Sequence, residues 1–384
     1  MIVSKYYTYQ EIFQQPKLWM RVFDMVKNQK KDLQQFINPF LNPSNSEILF
    51  TGAGSSFFIG EMVAGVFQEQ TGISCRAVAT TEIVTHPAYH INKNKNTLLV
   101  SFARSGNSPE SLAAVELASS FSSKLKHLFI SCNADGALAK MPKSDHNYLI
   151  LLPEETNDKS LAMTSSVTTM AMVALLLAQL NKIDLLDTQI KHAAVLTEEM
   201  FKNNEEDLKE IAKIDFERAV FLGSGPMQGV AREAHLKLQE LTDGKVISKF
   251  DSFLGFRHGP KAVVNDKTLM VYFFSNDEHV RKYEKDLVNS IKESSSPIYS
   301  LGIIDKDFPH LDLDKEIRFG YSDSEIDEGF WLMSSLVVIQ LLAFYKSLAL
   351  GFNPDSPSQN GSIHRVVQGV NIYQKNAKME EAHI

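Results

Sequence analysis

Short apolar runs and longer helix-patterned stretches alternate along the chain. "EILFTGAGS" (47–55) gives way to a helix-patterned stretch through Gln70. "NTLLVSFARS" (96–105) is followed by a helix near 109–121, then by "LKHLFISC" (125–132), "NYLILLPEE" (147–155) and a long helix from about Ser165. Runs of Val, Ile, Leu and Phe bounded by Gly, Ser and Asn predict parallel strands covered on both faces and joined by right-handed crossovers. The longest apolar stretches, around 167–180 and 332–350, contain Gln179, Gln340 and Lys346. They are short for a membrane span of ~20 residues and are predicted to be buried helices.

The pattern then repeats. "ILFTGAGSSF" from position 48 matches "AVFLGSGPMQ" from 219, and "TLLVSFARSG" from 97 matches "TLMVYFFSND" from 268, an offset of 171 both times. Glu69 falls on Glu240, and "MTSSVTTMAMVALLL" (163–177) is similar to "LMSSLVVIQLLAFY" (332–345). A constant offset across two separate strands predicts a duplicated α/β chain. The expected units are an N-terminal helical arm (1–44), a first subdomain (45–200), a second (215–352) and a C-terminal tail (353–384). Between the subdomains, "KNNEEDLKEIAKID" (202–215) reads as a charged, solvated connecting helix.

At 384 residues and 44% hydrophobic, the chain is long enough for two cores. A net charge of −7 with acids and bases interspersed argues against nucleic acid or an acidic membrane surface as main partner. Cys75 and Cys132 lie near apolar runs, outside any CxxC, and read as buried free thiols in a reducing compartment. "MIVSKYYTYQ" lacks a signal-peptide layout, so a cytoplasmic protein is expected.

Candidate chemistry begins where the strand at 96–105 ends in Arg104, Ser105, Gly106, Asn107 and Ser108. One reading is a capped turn. The other is an anion cradle, in which free backbone N–H groups, the following helix dipole and two hydroxyls face a phosphate. The second copy replaces these residues with Ser275-Asn276-Asp277-Glu278, so an anion site is expected once per chain, in the first half. Ser55 and Ser56 would close the same pocket, and "SLAMTSS" (160–166) is a third hydroxyl-rich loop. A dinucleotide reading of Gly52-Ala53-Gly54 is weak, because Phe57 stands where a third glycine belongs. In "REAHLKLQELTDG" (232–244), Ala231, Ala234, Leu238 and Leu241 form a buried helical face, and Lys237 and Glu240 share an adjacent one. That pair is either a surface ion pair or part of a site. His258 in "GFRHGP" (255–260) is either a turn residue or a catalytic one. "NPDSPSQNGSIHRVVQGV" (353–370) reads as a strap over a pocket, with Arg365 aimed inward. No metal set is visible, since His86 and His90 lack clustered carboxylates.

Together, "TGAGSS", "SFARSGNSPES" and "GFRHGP" resemble the signature loops of the sugar isomerase (SIS) family, over about 45–370. The doubled layout is similar to the isomerase domain of glucosamine-6-phosphate synthase. "EIFQQPKLW" (11–19) and "NPDSPS" (353–358) look like the AgaS branch, the galactosamine-6-phosphate deaminase/isomerases, also called tagatose-6-phosphate ketose/aldose isomerases. The resemblance implies an α/β fold of two tandem SIS subdomains, each a parallel sheet flanked by helices in a flavodoxin-like or Rossmann-like three-layer αβα arrangement. It places Ser56, Ser105 and Ser108 on phosphate-contacting positions, with Arg104 and Asn107 beside them, and Thr164 near a sugar hydroxyl. Glu240 falls on the base that moves a proton between C1 and C2, Lys237 on its neighbouring lysine, and His258 on a ring-opening histidine that reaches in from a partner subunit. Arg365 falls where a lysine closes the synthase site. Two extra residues between Glu240 and His258, and a longer tail, depart from the synthase pattern.

The implied reaction converts galactosamine 6-phosphate to tagatose 6-phosphate and ammonia, with no cofactor and no metal, in a homodimer or higher homo-oligomer sharing its sites between subunits. About 45 residues precede the first strand, too few for the synthase's glutaminase domain, which favours releasing ammonia over using it. The alternatives are a tagatose-6-phosphate aldose/ketose isomerase without deamination, a deglycase acting on a fructosamine phosphate, and a phosphosugar sensor that binds without reacting. The sequence leaves the galacto or gluco configuration of the substrate open.

Overall fold

The computed structural model describes residues 3–142, 144–304, 309, 311–320, 327–367 and 369–373. Helices α1 (Tyr7–Phe13), α2 (Gln15–Asn28) and α3 (Lys30–Ile37) lead into the first sheet. Its strands are β1 (Ser46–Gly52), β2 (Ser74–Ala79), β3 (Asn96–Ala103), β4 (Leu125–Ser131) and β5 (Asn147–Leu151), all parallel, in the order β2-β1-β3-β4-β5. Between them lie α4 (Ser55–Thr71), α5 (Thr80–Thr85), α6 (Pro87–His90) and α7 (Pro109–Phe121), and α8 (Ser165–Ala178) follows. Helix α9 (Asp187–Lys213) leads to the second sheet: β6 (Arg218–Gly223), β7 (Ile247–Asp251), β8 (Thr268–Phe273), β9 (Tyr299–Ile304) and β10 (Lys315–Arg318). These strands are also parallel, in the equivalent order β7-β6-β8-β9-β10. Its helices are α10 (Pro226–Leu241), α11 (Phe253–Phe256), α12 (Glu278–Ser294) and α13 (Glu328–Ala349).

The duplication holds at the level of single ladder pairs. Ile48 pairs with Leu98 between β1 and β3, and Ala219, its match, pairs with Leu269 between β6 and β8. The turns into α4 and α10 are also twins. Gly54 has φ 56° and ψ −130°, and Gly225 has φ 54° and ψ −127°. That region is open to glycine and strained for a residue with a Cβ, so both copies keep glycine there. Toward the C-terminal ends the copies diverge. Ser334, matched to Ser165 at the start of α8, lies inside α13, which begins at Glu328.

Three expectations need correction. The halves do not close separate main cores. One continuous cluster of buried apolar side chains runs from Ile48 and Val100 through Val173 of α8, Ala231 of α10 and Leu336 of α13 to Val271 of β8. The connecting helix is longer than expected and only half solvated, because α9 starts at Asp187 and buries Ile190, Ala193, Leu208 and Ile211. Both cysteines are free, but only Cys132 is buried, Cys75 being half-buried on β2. Helix α13 is long and apolar enough to cross a membrane by length and composition, yet 89% of its most apolar window is buried inside the protein.

Candidate active site

In the strand order 2-1-3-4-5 the connections leave β1 and β3 in opposite directions, and a crevice opens outside their C-terminal ends. The loops there are the two hydroxyl-rich segments singled out above. They line a pocket of ≈ 100 Å³ with Ala53, Ser56, Arg104, Ser105, Gly106 and Ser108, joined by Met163 and by Arg365, Val366 and Val367 of the strap. Gly106 takes a φ of 67°. Ser108 is the N-cap of α7, but its hydroxyl donates to Ser111 Oγ (2.6 Å) instead of capping the helix. The loop is braced from outside: Asn133 Nδ2 donates to Ser105 O (2.8 Å), and Asn107 Oδ1 accepts from Ala137 N (2.9 Å). Asn107 thus spends its side-chain carbonyl on the loop itself. Among the described residues the N–H groups of Ser105, Gly106 and Ser108 have no acceptor. Buried N–H groups are almost always paired, so unpaired ones at a pocket wall suit an anion.

Arg104 is buried and donates to three carbonyls: Ser160 O, Leu161 O (2.9 Å) and Arg365 O. Arg365 turns toward the pocket as well, donating from Nε to Asp158 O (2.8 Å) and from a terminal nitrogen to Asn157 Oδ1 (2.6 Å). Burial, reinforced by Arg365, pulls the Arg104 pKa down, while Asp158 and Glu240 act in the opposite direction. Among the described residues neither arginine has a carboxylate within ion-pair distance. Two cations whose hydrogen bonds all end on neutral oxygens leave their charge for a ligand. Asp158 itself is committed to the start of α8. Its carboxylate accepts from the N–H groups of Thr164 (2.8 Å), Ser165 (3.1 Å) and Ser166 (3.0 Å) and from all three hydroxyls. Thr164 is fully buried in this cap.

The second half contributes through α10. Lys237 is fully buried, and its ammonium donates to Ser55 Oγ (3.0 Å) of α4 and to Glu240 Oε2 (2.6 Å). Glu240 keeps 23% of its side chain exposed. The pair is therefore not on the surface, and it joins the hydroxyl loop of the first half. Behind it, fully buried Glu233 lies 3.3 Å from the Lys237 ammonium. Burial pushes the Glu233 carboxyl up to about 7 against the pull of Lys237. Burial opposes the charge on Lys237, but the Glu233 and Glu240 carboxylates outweigh it and hold its pKa above the usual lysine value. Glu233 was missed in the sequence, although its i, i+4 spacing to Lys237 was the available signal. His258 is exposed in a turn whose Gly259 has φ 113°. Like Ser55, Lys237 and Glu240, it is not among the residues lining the pocket.

The matching crevice of the second half holds a carboxylate of its own. Ser275, matched to Arg104, donates its N–H to Glu284 Oε2 (3.1 Å). Burial pushes this carboxyl up to about 7. Where the first half is open to an anion, the second is filled by an acid from α12. Among the described residues no group of three or more His, Cys, Asp or Glu is placed to hold a metal.

The SIS-domain family model matches residues 40–180. D-galactosamine-6-phosphate deaminase AgaS from Shewanella sp. (strain ANA-3) is 38% identical over 96% of this chain and 92% of its own. The crystal structure of tagatose-6-phosphate ketose/aldose isomerase from Escherichia coli is 36% identical and covers 98% of this chain and 99% of its own, with a TM-score of 0.89. The C-terminal domain of glucosamine-fructose-6-phosphate aminotransferase from Francisella tularensis, 18% identical over 92% of this chain and 98% of its own with a TM-score of 0.76, shares the fold.

Proposed function

The chain belongs to the SIS family, with AgaS proteins among its relatives, and on that premise we propose that it converts galactosamine 6-phosphate to tagatose 6-phosphate and ammonia. The observation that carries this reading is the Lys237–Glu240 pair, delivered by α10 to Ser55 at the edge of the hydroxyl-lined pocket. The phosphate sits against Ser56, Ser105 and Ser108 and the unpaired N–H groups, in the field of Arg104 and Arg365. Ser55 links this loop to Lys237. Asn107 keeps the loop in shape, and Thr164 acts from the wall near Met163 rather than by an unoccupied hydroxyl.

His258 assists opening of the pyranose ring. Glu240, the partly exposed carboxylate of the trio, removes the C2 proton of the open-chain aldosamine and returns it to C1. Lys237 stabilises the negative charge that develops on O1. The product is a C1 alcohol with an imine at C2. Water adds to that imine, and ammonia leaves to give the ketose phosphate. The exposure of His258 in its turn supports a homodimer or higher homo-oligomer in which it serves a neighbour's site. The free thiols support a cytoplasmic setting.

The name of the E. coli structure favours a second reading, aldose/ketose isomerisation of tagatose 6-phosphate without deamination. It uses the same Glu240. One experiment separates them: incubate the protein with galactosamine 6-phosphate and follow ammonia and ketose 6-phosphate together. Equal release of both is expected. Interconversion of tagatose 6-phosphate with an aldose phosphate, and no ammonia, would establish the isomerase instead.

A further inference from the structure

Two sequence segments have no part in the chemistry above: the one that starts at Glu11, and the one around Asp355. They lie at opposite ends of the chain and meet in the structure. The Asp355 carboxylate accepts from Tyr7 N (3.0 Å), Thr8 N (2.8 Å) and Thr8 Oγ1 (2.8 Å) at the start of α1. One turn along that helix, buried Glu11 accepts from Lys159 N, Ser160 N (3.3 Å) and Ser160 Oγ. The ring closes where Leu161 N donates to Asp355 O (3.0 Å).

Two of the three partners of the Arg104 guanidinium are held by this ring: Ser160 by Glu11, and Leu161 by the main-chain carbonyl of Asp355, whose carboxylate ties that segment to α1. The third, Arg365, is held beside it by the carbonyl of Asp158 and the amide of Asn157. A long cationic side chain loses up to about 2 kcal/mol of rotamer entropy when it is fixed. Here that ordering is already complete before any ligand arrives, which favours binding. A strut that served stability alone would have no need to end on two arginines lacking carboxylate partners.

We propose that Glu11 and Asp355 are positioning residues, which act through the 158–161 loop and the strap to hold Arg104 and Arg365 against the substrate's phosphate. The inference rests on the reading of this pocket as a phosphate site. The test uses the full chain and two readouts: KM and kcat with galactosamine 6-phosphate, and calorimetric affinity for inorganic phosphate. In Glu11→Ala and Asp355→Ala, KM and the phosphate Kd rise about tenfold while kcat stays within about twofold, as expected when misplaced groups bind ground and transition states equally. Glu11→Gln keeps an acceptor oxygen and recovers most of the affinity. Unchanged KM and phosphate Kd alongside a lowered Tm would make the ring a strut only and overturn the proposal. Should the alanine variants fail to fold, Thr8→Val removes one donor of the ring and is judged by the same two readouts. The native protein separates the two layers. Phosphate binding without turnover overturns the reaction assignment and leaves the affinity comparison decisive, whereas no phosphate binding overturns both.

Discussion

Lys237 gathers three contacts that no other residue of the site has: a hydroxyl from 182 residues away, a half-exposed carboxylate and a buried one. The two carboxylate contacts predict different variants. Glu240→Gln keeps shape and one acceptor oxygen but loses the basic carboxylate, so kcat falls by about 10²–10⁴-fold while substrate still binds. Initial rates and calorimetric titration check this, and a normal kcat would remove Glu240 from the reaction. Lys237→Met leaves Glu233 buried without its cation, at an expected cost of about 3–5 kcal/mol in urea unfolding. Adding Glu233→Gln to that variant restores much of the loss, because a buried amide needs neither a cation nor the extra proton that the unpaired carboxyl must take up. The spacing of Lys237 and Glu240 was legible on the helix. Their burial was not, since a helical repeat fixes neighbours on one element and says nothing of what covers them.

Helices α4 and α10 carry Ser55 and Lys237, and they cross where the chain has Gly229. A Cβ at that position would lie 2.6 Å from Met62 N, which is backbone and cannot swing aside. Next to the crossing, Arg232 pairs with Glu61 and its guanidinium lies over Phe57, Phe58 and Phe250. Gly229→Ala therefore pushes the helices apart, with an expected loss of about 1–3 kcal/mol and a fall in kcat as Lys237 moves off Ser55. Thermal unfolding and initial rates read both effects, and an unchanged Tm would mean that the crossing yields freely. The central strands β1, β3, β6 and β8 were legible because both faces are buried and their apolar runs are unbroken. Strands β2, β7 and β10 were not, because these outer strands are partly exposed and read as mixed polar sequence.

Across the whole molecule, the duplication gives two crevices, and in the second the Glu284 carboxylate accepts from Ser275, the match of Arg104. The raised pKa of Glu284 makes that difference testable. A carboxyl at about 7 in the folded state, against a usual glutamate value of 4.5, binds its proton more tightly when folded. That contribution is complete at low pH and is lost as the pH rises through about 7. Between about pH 5 and pH 8 the native protein should lose about 2–3 kcal/mol that a Glu284→Gln variant keeps. Urea unfolding of both proteins at both pH values measures this, and parallel losses would mean that Glu284 is ionised throughout.

The sequence by itself determined the α/β class, the duplication at a fixed offset, the hydroxyl loops at the ends of β1 and β3, and the helix bearing Lys237 and Glu240. These are local or periodic properties, written into a few consecutive residues. The tertiary structure alone decided that the halves share one core, that Lys237 meets Ser55, that Glu284 fills the second crevice, and that Glu11 and Asp355 join the chain's two ends behind Arg104. Those facts depend on which surfaces are brought together when apolar faces leave water. That burial is non-directional and is satisfied by the whole fold at once, so short stretches of sequence do not carry it.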